Sequence, residues 1–338
     1  MGKQYPLKVD AYAHISPPKY TAVLKKDHPR FYNAILHTND ALFDMDERFR
    51  IMDEFPEVVQ VITVGPVPPL EAFADSKKSV ELAKMANDEM AELVRKHRDR
   101  FVAAIPLLPM NNVKAAVKEA ERTITELGFR GLYVHSNING KPLDSEEFFP
   151  LYQVAIDHNL PVFVHPWRSD EFADYQTEEE SKYIIASVFG WPYETTVAMT
   201  RLVFSGIFDK FPGLKVITHH CGGMIPYYAQ RIHQHYGSID LTNRQTFVRT
   251  LRQSPLDYYK MFYADTAIHG NTPALMLAHS FFGADHIVFG ADMPLGDYYW
   301  GRRSYRETIN AIEAMGIPET EKQRIFCDNA VNLMRLFI

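Results

Sequence analysis

Imidazole and carboxylate side chains close several short apolar runs of this sequence, a pattern typical of catalytic or metal-binding residues. His14 ends one such run, His165 ends another, and Asp292 ends a third. Imidazole nitrogen and carboxylate oxygen are ligands that proteins offer to Zn²⁺ and Mn²⁺. If the runs are parallel strands of a barrel, their carboxyl ends meet at one mouth. The sequence therefore predicts a divalent metal site there.

Two adjacent histidines, His219 and His220, close a further run just before a Gly-Gly turn. Consecutive strand residues point to opposite faces, so we expect only one of the two to enter the site. We assign His220 to the site because it stands nearer the turn, and we treat His219 as structural. Asp265 and His135 each close another run and are weaker candidates for a site role.

The elements that must position these residues alternate between strand and helix along the whole chain. Apolar runs without polar alternation are typical of strands buried on both faces. Eight are found, at Leu7–Ala13, Val58–Gly65, Phe101–Leu107, Gly131–His135, Pro161–His165, Leu214–His219, Met261–Asp265 and His286–Asp292. Amphipathic helical segments separate them, which predicts a single α/β domain over residues 1–338. We expect a (β/α)8 TIM barrel, with a doubly wound open sheet as the alternative.

Two connections are much longer than usual, Ser16–Phe55 and Pro166–Trp191, and we expect them to cover the mouth of the barrel. The 338 residues are 46% hydrophobic and carry a net charge of -6, which argues against nucleic acid or an anionic membrane as partner. Two cysteines and no leader-like segment predict a cytoplasmic protein.

An ordered set of motifs resembles one family over most of the chain. The segments are Asp10–Pro17, Arg48–Asp53, His165–Trp167, Trp191–Thr195, Ile207–His220, Gly222–Arg231, Phe262–Asp265 and Val288–Gly296. The chain resembles the amidohydrolase-related, metal-dependent decarboxylases, and is similar to α-amino-β-carboxymuconate-ε-semialdehyde decarboxylase and γ-resorcylate decarboxylase. The resemblance implies Zn²⁺, or Mn²⁺ in some members, held by His14, His165 and Asp292. It also implies that His220 handles protons in the reaction.

The same resemblance implies roles for residues farther from the strand ends. Arg48 matches a substrate-contacting arginine in the first long loop, so we predict that it is catalytic. Arg231 matches an arginine that reaches the substrate of a neighbouring subunit, which implies a homodimer or higher homo-oligomer. Trp167 and Trp191 belong to the second long connection, and aromatic walls suit a flat substrate.

Tyr12 departs from the family pattern, because relatives carry His-x-His or Glu-x-His/Ala where this chain has Tyr-Ala-His. Alternation along the strand predicts that Asp10, Tyr12 and His14 share one face, so Tyr12 also points into the mouth. Three interpretations stay open: a site with one ligand fewer, a tyrosinate ligand, or loss of the metal. We favour a retained metal, with Tyr12 among the substrate-binding residues.

The resulting hypothesis is a metal-dependent, non-oxidative decarboxylase, a carboxy-lyase acting on a small aromatic or unsaturated carboxylic acid. A metal-dependent hydrolase or hydratase acting on a lactone, amide or activated alkene is the alternative, because its metal ligands would be the same. A barrel that binds a ligand without turning it over is a third hypothesis.

Overall fold

The computed structural model describes residues 6–29, 32, 40–65, 68–237, 251–295 and 301–338. Within them, eight parallel strands match the eight predicted runs in order. They are β1 Lys8–Ile15, β2 Val58–Val64, β3 Phe101–Ile105, β4 Leu132–His135, β7 Val162–His165, β8 Val216–Thr218, β9 Tyr263–Asp265 and β10 Ile287–Val288. A short antiparallel hairpin, β5 Asn137–Ile138 and β6 Lys141–Pro142, follows β4.

The strands form two arcs, β1-β2-β3 and β4-β7-β8-β9-β10, which backbone hydrogen bonds join on both sides. On one side, the amide of Ala11 donates to the carbonyl of Phe289 at 2.8 Å, and His14 donates to Met293 at 2.7 Å. On the other, Arg130 donates to Ala104 at 3.1 Å. The chain therefore folds as the predicted (β/α)8 barrel, and the open-sheet alternative is wrong.

Helices surround the strands in the order that the amphipathic segments predict. Those described are α1 Pro18–Asp27, α2 Met45–Asp53, α3 Leu70–Phe73, α4 Ser76–Lys96, α5 Val113–Thr125, α6 Phe149–Asp157, α7 Trp191–Phe204, α8 Ile207–Lys210, α9 Ile225–Gly237, α10 Pro255–Tyr259, α11 Thr272–Phe282, α12 Arg302–Glu313, α13 Glu319–Gln323 and α14 Asn329–Met334. Asn112 caps α5, its side chain accepting from the amide of Ala115. None of the described helices has the length and apolarity to cross a bilayer.

A β-bulge in β1 decides which of its side chains enter the barrel. The pairing with β2 shifts register between Asp10 and Ala13. Tyr12 packs inside the barrel against Phe163, whereas Asp10 bonds to Tyr305 of the outer helix α12. Simple alternation, which predicted one face for Asp10 and Tyr12, is therefore wrong here, because a bulge inserts one residue and reverses the alternation beyond it.

Candidate metal centre

His14 is held by its main chain while its imidazole faces the mouth. It is fully buried, its amide donates to Met293, and its carbonyl accepts from Arg48 at 2.7 Å. Nδ1 faces Gly65, where a Cβ would overlap the ring, which is why the close approach needs glycine. Nε2 lies 3.1 Å from Oδ1 of Asp292, without hydrogen-bond geometry. Burial lowers the pKa of His14, which keeps the imidazole in the neutral, ligating form.

His165 at the end of β7 is oriented by its own backbone. Its Nδ1 donates to the carbonyl of Pro166 at 2.7 Å, which leaves the Nε2 lone pair directed away from that bond. In metal-binding histidines, a hydrogen bond donated by the ring nitrogen that does not bind the metal fixes the tautomer. Burial and the neighbouring imidazoles of His219 and His14 hold the pKa of His165 well below its usual range.

Asp292 follows β10 at a residue with a φ of 57°, a left-handed conformation that is uncommon outside glycine. Non-glycine residues in such regions cluster at functional sites, where the backbone aims a side chain. Oδ1 lies 3.1 Å from Nε2 of His14 and 3.2 Å from Nε2 of His219. Burial alone would raise the pKa of Asp292, but the charge of His219 and the close approach of the His14 and His219 imidazoles lower it well below its ordinary value.

Both histidines of the adjacent pair reach the mouth, so the expectation that only one would enter is wrong. His220 and Cys221 have φ angles of 54° and 57°, and this left-handed turn replaces regular strand geometry. The two rings lie 4.1 Å apart between centroids. Alternation cannot separate them, because β8 has already ended at Thr218.

His219 lies between two carboxylates. Nδ1 is hydrogen-bonded to Oδ2 of Asp265, and Nε2 lies 3.2 Å from Asp292. Burial alone would lower its pKa, but the charges of Asp265 and Asp292 outweigh burial and raise it to about 10. Asp265 is fixed in turn, because Oδ1 accepts from the amides of Cys221 and Ala267. The weaker candidate Asp265 thus belongs to the site, and His219 is the residue that sequence reasoning missed.

Tyr12 points into the mouth, as predicted. Its ring stacks on His219 at 4.2 Å between centroids and meets His14 edge-on at 5.4 Å. The hydroxyl is buried and has no hydrogen-bond partner among the described residues. Burial and the nearby Tyr133 and Asp265 raise the pKa of Tyr12 well above its ordinary value, which favours the neutral phenol.

Arg48 lies away from the open mouth, and its contacts correct its predicted role as a substrate contact. It is completely buried on α2 and donates to the carbonyls of His14 and Ala41, and to Gln60 at 2.9 Å. An arginine held in this way positions the end of β1. The resemblance could not show this, since it matches a residue type and not the direction of a side chain.

The two tryptophans differ in their distance from the histidines. Trp191 begins α7 and lies 5.6 Å from His165 and 6.2 Å from His220 between ring centroids, so it forms a wall of the mouth. Among the residues that the structure describes, the ring of Trp167 meets only that of His135, at 6.2 Å between centroids. Arg231 is exposed on α9, where it lines a groove of about 450 Å³ outside the histidine cluster.

Glu71 is a second residue that sequence reasoning missed. It lies on α3 beyond the end of β2, and its Oε1 is buried without a hydrogen-bond partner in the described residues. Burial raises its pKa to about 7, and its charge acts on Tyr133 in the barrel. No sequence pattern points to Glu71, because it belongs to a connection and closes no strand.

The donor set fits a divalent metal. The imidazoles of His14, His165 and His219 offer nitrogens within 4.8 Å of one another, and a second set comprises His219, His220 and Asp292. Both ring nitrogens of His14 and Nδ1 of His220 are buried and have no hydrogen-bond partner among the described residues. Unpartnered buried nitrogens are costly unless a ligand satisfies them, and this nitrogen and oxygen chemistry suits Zn²⁺ or Mn²⁺.

Known proteins are similar to this chain in sequence and in fold over almost its whole length. The family model described as "Amidohydrolase" matches residues 9–336. The chain belongs to the amidohydrolase family. It is 30% identical to a γ-resorcylate decarboxylase of Polaromonas sp. (strain JS666 / ATCC BAA-500), covering 92% of this chain and 91% of that protein.

Two further proteins are similar to this amidohydrolase family member. A 2-amino-3-carboxymuconate-6-semialdehyde decarboxylase of Dictyostelium discoideum is 27% identical, over 98% of this chain and 92% of its own length. A crystal structure of a dihydroxybenzoic acid decarboxylase from Polaromonas sp. JS666, with bound manganese and the inhibitor 2-nitroresorcinol, superposes with a TM-score of 0.80. Its sequence is 27% identical, with 98% of this chain and 97% of that chain covered.

Proposed function

We propose that this protein is a metal-dependent, non-oxidative decarboxylase, a carboxy-lyase acting on a small aromatic or unsaturated carboxylic acid. The observation that carries the proposal is the convergence of the His14, His165 and His219 imidazoles, with Asp292 beside His14 and His219 and with both ring nitrogens of His14 buried and unpartnered among the described residues. The similar proteins named as decarboxylases, one of them with bound manganese and the inhibitor 2-nitroresorcinol, support the reaction and the substrate class.

Zn²⁺ is the metal that we propose, with Mn²⁺ as the second choice. Imidazole nitrogens outnumber carboxylate oxygens among the converging donors, and imidazole-rich sites suit zinc. The manganese of the similar structure supports the second choice. The ligands assigned from the sequence, His14, His165 and Asp292, are part of this donor set.

Decarboxylation replaces the bond from a ring or alkene carbon to the carboxylate with a bond from that carbon to hydrogen. When bound, the metal supplies a Lewis acid that polarises the oxygens of the substrate. His220 lies between His219 and the Trp191 wall, where burial lowers its pKa to about 3. Its imidazole is therefore neutral at rest, and it takes up the proton that it then delivers to the carbon that bears the carboxylate. The carbon–carboxylate bond then breaks, its electron pair returns to the substrate, and CO₂ leaves. Asp292 keeps the imidazoles of His14 and His219 oriented.

The test is CO₂ release from γ-resorcylate, other hydroxybenzoates and carboxymuconates, measured beside the opening of lactones and hydrolysis of amides. We expect CO₂ release that depends on added Zn²⁺ or Mn²⁺ and is lost in His165→Ala. Ring opening or amide hydrolysis without CO₂ release would instead establish the hydrolase alternative. A metal-free protein with no turnover of either panel would establish a binding barrel.

We also propose that the protein assembles as a homodimer through the face around α9. Arg231 is exposed there, beside Tyr227 and Tyr228, whose side chains are 74% and 41% exposed. Large exposed aromatic side chains favour an interface. Light scattering after gel filtration should give twice the chain mass, and Arg231→Ala should raise KM if the arginine reaches the partner's substrate. A monomer at micromolar concentration would overturn this assignment.

A further inference from the structure

His219 stands at the intersection of the two sets of converging donors. It is the one residue common to the set with His14 and His165 and the set with His220 and Asp292, as far as the described residues show. Its side chain is completely buried. A residue that both sets share lies where a single ion could contact members of each.

Two distances agree with the edges of a tetrahedral zinc site. Zn–N bonds of 2.0–2.1 Å place neighbouring ligand atoms about 3.3 Å apart. Oδ1 of Asp292 lies 3.1 Å from Nε2 of His14 and 3.2 Å from Nε2 of His219. The two histidines are thus placed alike around Asp292, and geometry gives no reason to count one as a ligand and not the other.

The orientation of His219 is that of a ligating histidine. Nδ1 is occupied by Asp265, so Nε2 is the nitrogen directed at Asp292. Metal-binding histidines commonly bond through one nitrogen to a carboxylate, which fixes the ring and strengthens the other nitrogen as a ligand. Despite burial, the flanking carboxylates raise the pKa of His219 in the metal-free protein, so the ion takes the place of the Nε2 proton when it binds. Asp265 is itself held by two backbone amides, from Cys221 and Ala267.

Tyr12 explains why a ligand from another strand is needed. Its ring lies parallel to His219, with centroids 4.2 Å apart and an interplanar angle of 18°. In this position the phenol ring packs against one face of the imidazole. Tyr12 therefore occupies the position on β1 where relatives carry a ligand, and it packs against His219, which follows the end of β8.

We propose that His219 is a metal ligand, completing with His14, His165 and Asp292 a four-residue site in which Asp265 orients His219 and Tyr12 packs against it. The proposal rests on the metal dependence of the proposed function and adds a ligand that neither the motifs nor the resemblance assigned. His220 is left as the histidine that faces the substrate. The histidine that looks structural from its place in the strand is the one that binds the ion.

Metal content provides the first test, because it needs no substrate. Purified protein loaded with Zn²⁺ is dialysed against a competing chelator, and zinc per chain is measured by mass spectrometry. We expect His219→Gln to lose affinity by about 10²-fold or more, and Asp265→Asn by about 10- to 100-fold. His220→Gln is the matched control and should keep wild-type zinc. Circular dichroism of each apoprotein checks that it is folded.

A crystal structure of the zinc-loaded wild type, with anomalous data at the zinc edge, needs no variant. We expect Nε2 of His219 about 2.1 Å from the ion. A separation of about 3 Å or more would overturn the inference, as would full zinc retention by a folded His219→Gln. Wild type that binds neither zinc nor manganese would refute the metal dependence of the proposed function instead.

A rescue experiment connects His219 to Tyr12. Restoring a histidine on β1 with Tyr12→His should recover zinc binding in the His219→Gln background to within about tenfold of wild type. Tyr12→Phe in the same background keeps the ring but offers no ligand, so it should not rescue. Equal zinc loss in both double variants would contradict the idea that His219 substitutes for a β1 ligand.

Discussion

Two buried polar clusters meet at β1, and they are satisfied in opposite ways. On the outer face, Arg48, Gln60, Tyr305 and Asp10 form a continuous chain of hydrogen bonds, in which Nη2 of Arg48 is the buried atom that lacks a partner among the described residues. On the inner face, Tyr12 and His14 carry buried polar atoms with no hydrogen-bond partner among the described residues. An unpaired buried polar group costs about 1–3 kcal/mol. The hydrogen bonds of the outer cluster therefore stabilise the fold, whereas the unpaired atoms of the inner cluster are typical of a site that binds a ligand.

The outer chain shows how the fold supports the site. Asp10 accepts from the amides of Tyr12 and Ala291, which ties the bulge of β1 to the segment that carries Asp292. At the other end of this series of hydrogen bonds, Arg48 donates to the carbonyl of His14. His14 on β1 and Asp292 after β10, the proposed ligands, are thus positioned by groups that do not enter the mouth.

The largest effect should come from the inner cluster. Asp292→Asn replaces the charged carboxylate with a weak ligand and should lower kcat/KM by about 10³-fold or more, since metal-ion catalysis supplies several kcal/mol. Steady-state CO₂ release at saturating Zn²⁺ measures it, with circular dichroism as a check on folding. Retention of more than a tenth of the activity would show that the inner cluster does not hold the catalytic ion.

Arg48→Met tests the outer cluster and should act mainly on stability. It leaves the carbonyls of His14 and Ala41 and the Oε1 of Gln60 without a donor, so we expect the free energy of unfolding to fall by about 3 kcal/mol. Urea denaturation of the apoprotein measures this. An Arg48→Met variant that keeps its stability but has a raised KM would support the predicted substrate contact. It would contradict the assignment of Arg48 to a purely structural cluster.

Asp10 should give the outer cluster a pH dependence of stability. Burial raises the pKa of Asp10 to about 6, against hydrogen bonds that lower it. Because the pKa of Asp10 is higher in the folded protein than in the unfolded chain, Asp10 contributes most to the free energy of unfolding at pH values below its pKa in the unfolded chain. That contribution is lost as the pH rises through about 6. Relative to Asp10→Asn, the wild-type free energy of unfolding should fall by about 1 kcal/mol between about pH 5 and pH 7.5.

Urea denaturation of both apoproteins across this range measures the difference. A wild-type curve that runs parallel to that of Asp10→Asn would show that the carboxylate titrates as it does in the unfolded chain. The outer cluster would then hold Asp10 in its charged form throughout.

The smallest effect should come from Tyr12→Phe. The hydroxyl is buried and has no hydrogen-bond partner among the described residues, so its removal relieves the cost of an unpaired group and should raise the free energy of unfolding of the apoprotein by about 1 kcal/mol. Zinc content and rate should stay at wild-type values, since the ring that stacks on His219 remains. Loss of zinc in this variant would establish a tyrosinate ligand and remove the need for His219.

The strand-end residues were predictable because their positions follow from sequence order in a parallel barrel. Eight apolar runs located the strands, and His14, His165 and Asp292 closed three of them. Every βα unit brings its carboxyl end to the same mouth, so no knowledge of side-chain packing was needed. The family motifs pointed to the same residues.

The orientation of individual side chains was decided only by the tertiary structure. The register of β1 shifts after Asp10, and the backbone is left-handed at His220. At both places the side chains no longer alternate between the two faces of the strand. Arg48 was read as a substrate contact because its type and order match, but α2 packs it against the outer face of β1. Bulges, left-handed turns and buried hydrogen bonds depend on segments distant in sequence, which is why sequence located the site and only the fold assigned the roles within it.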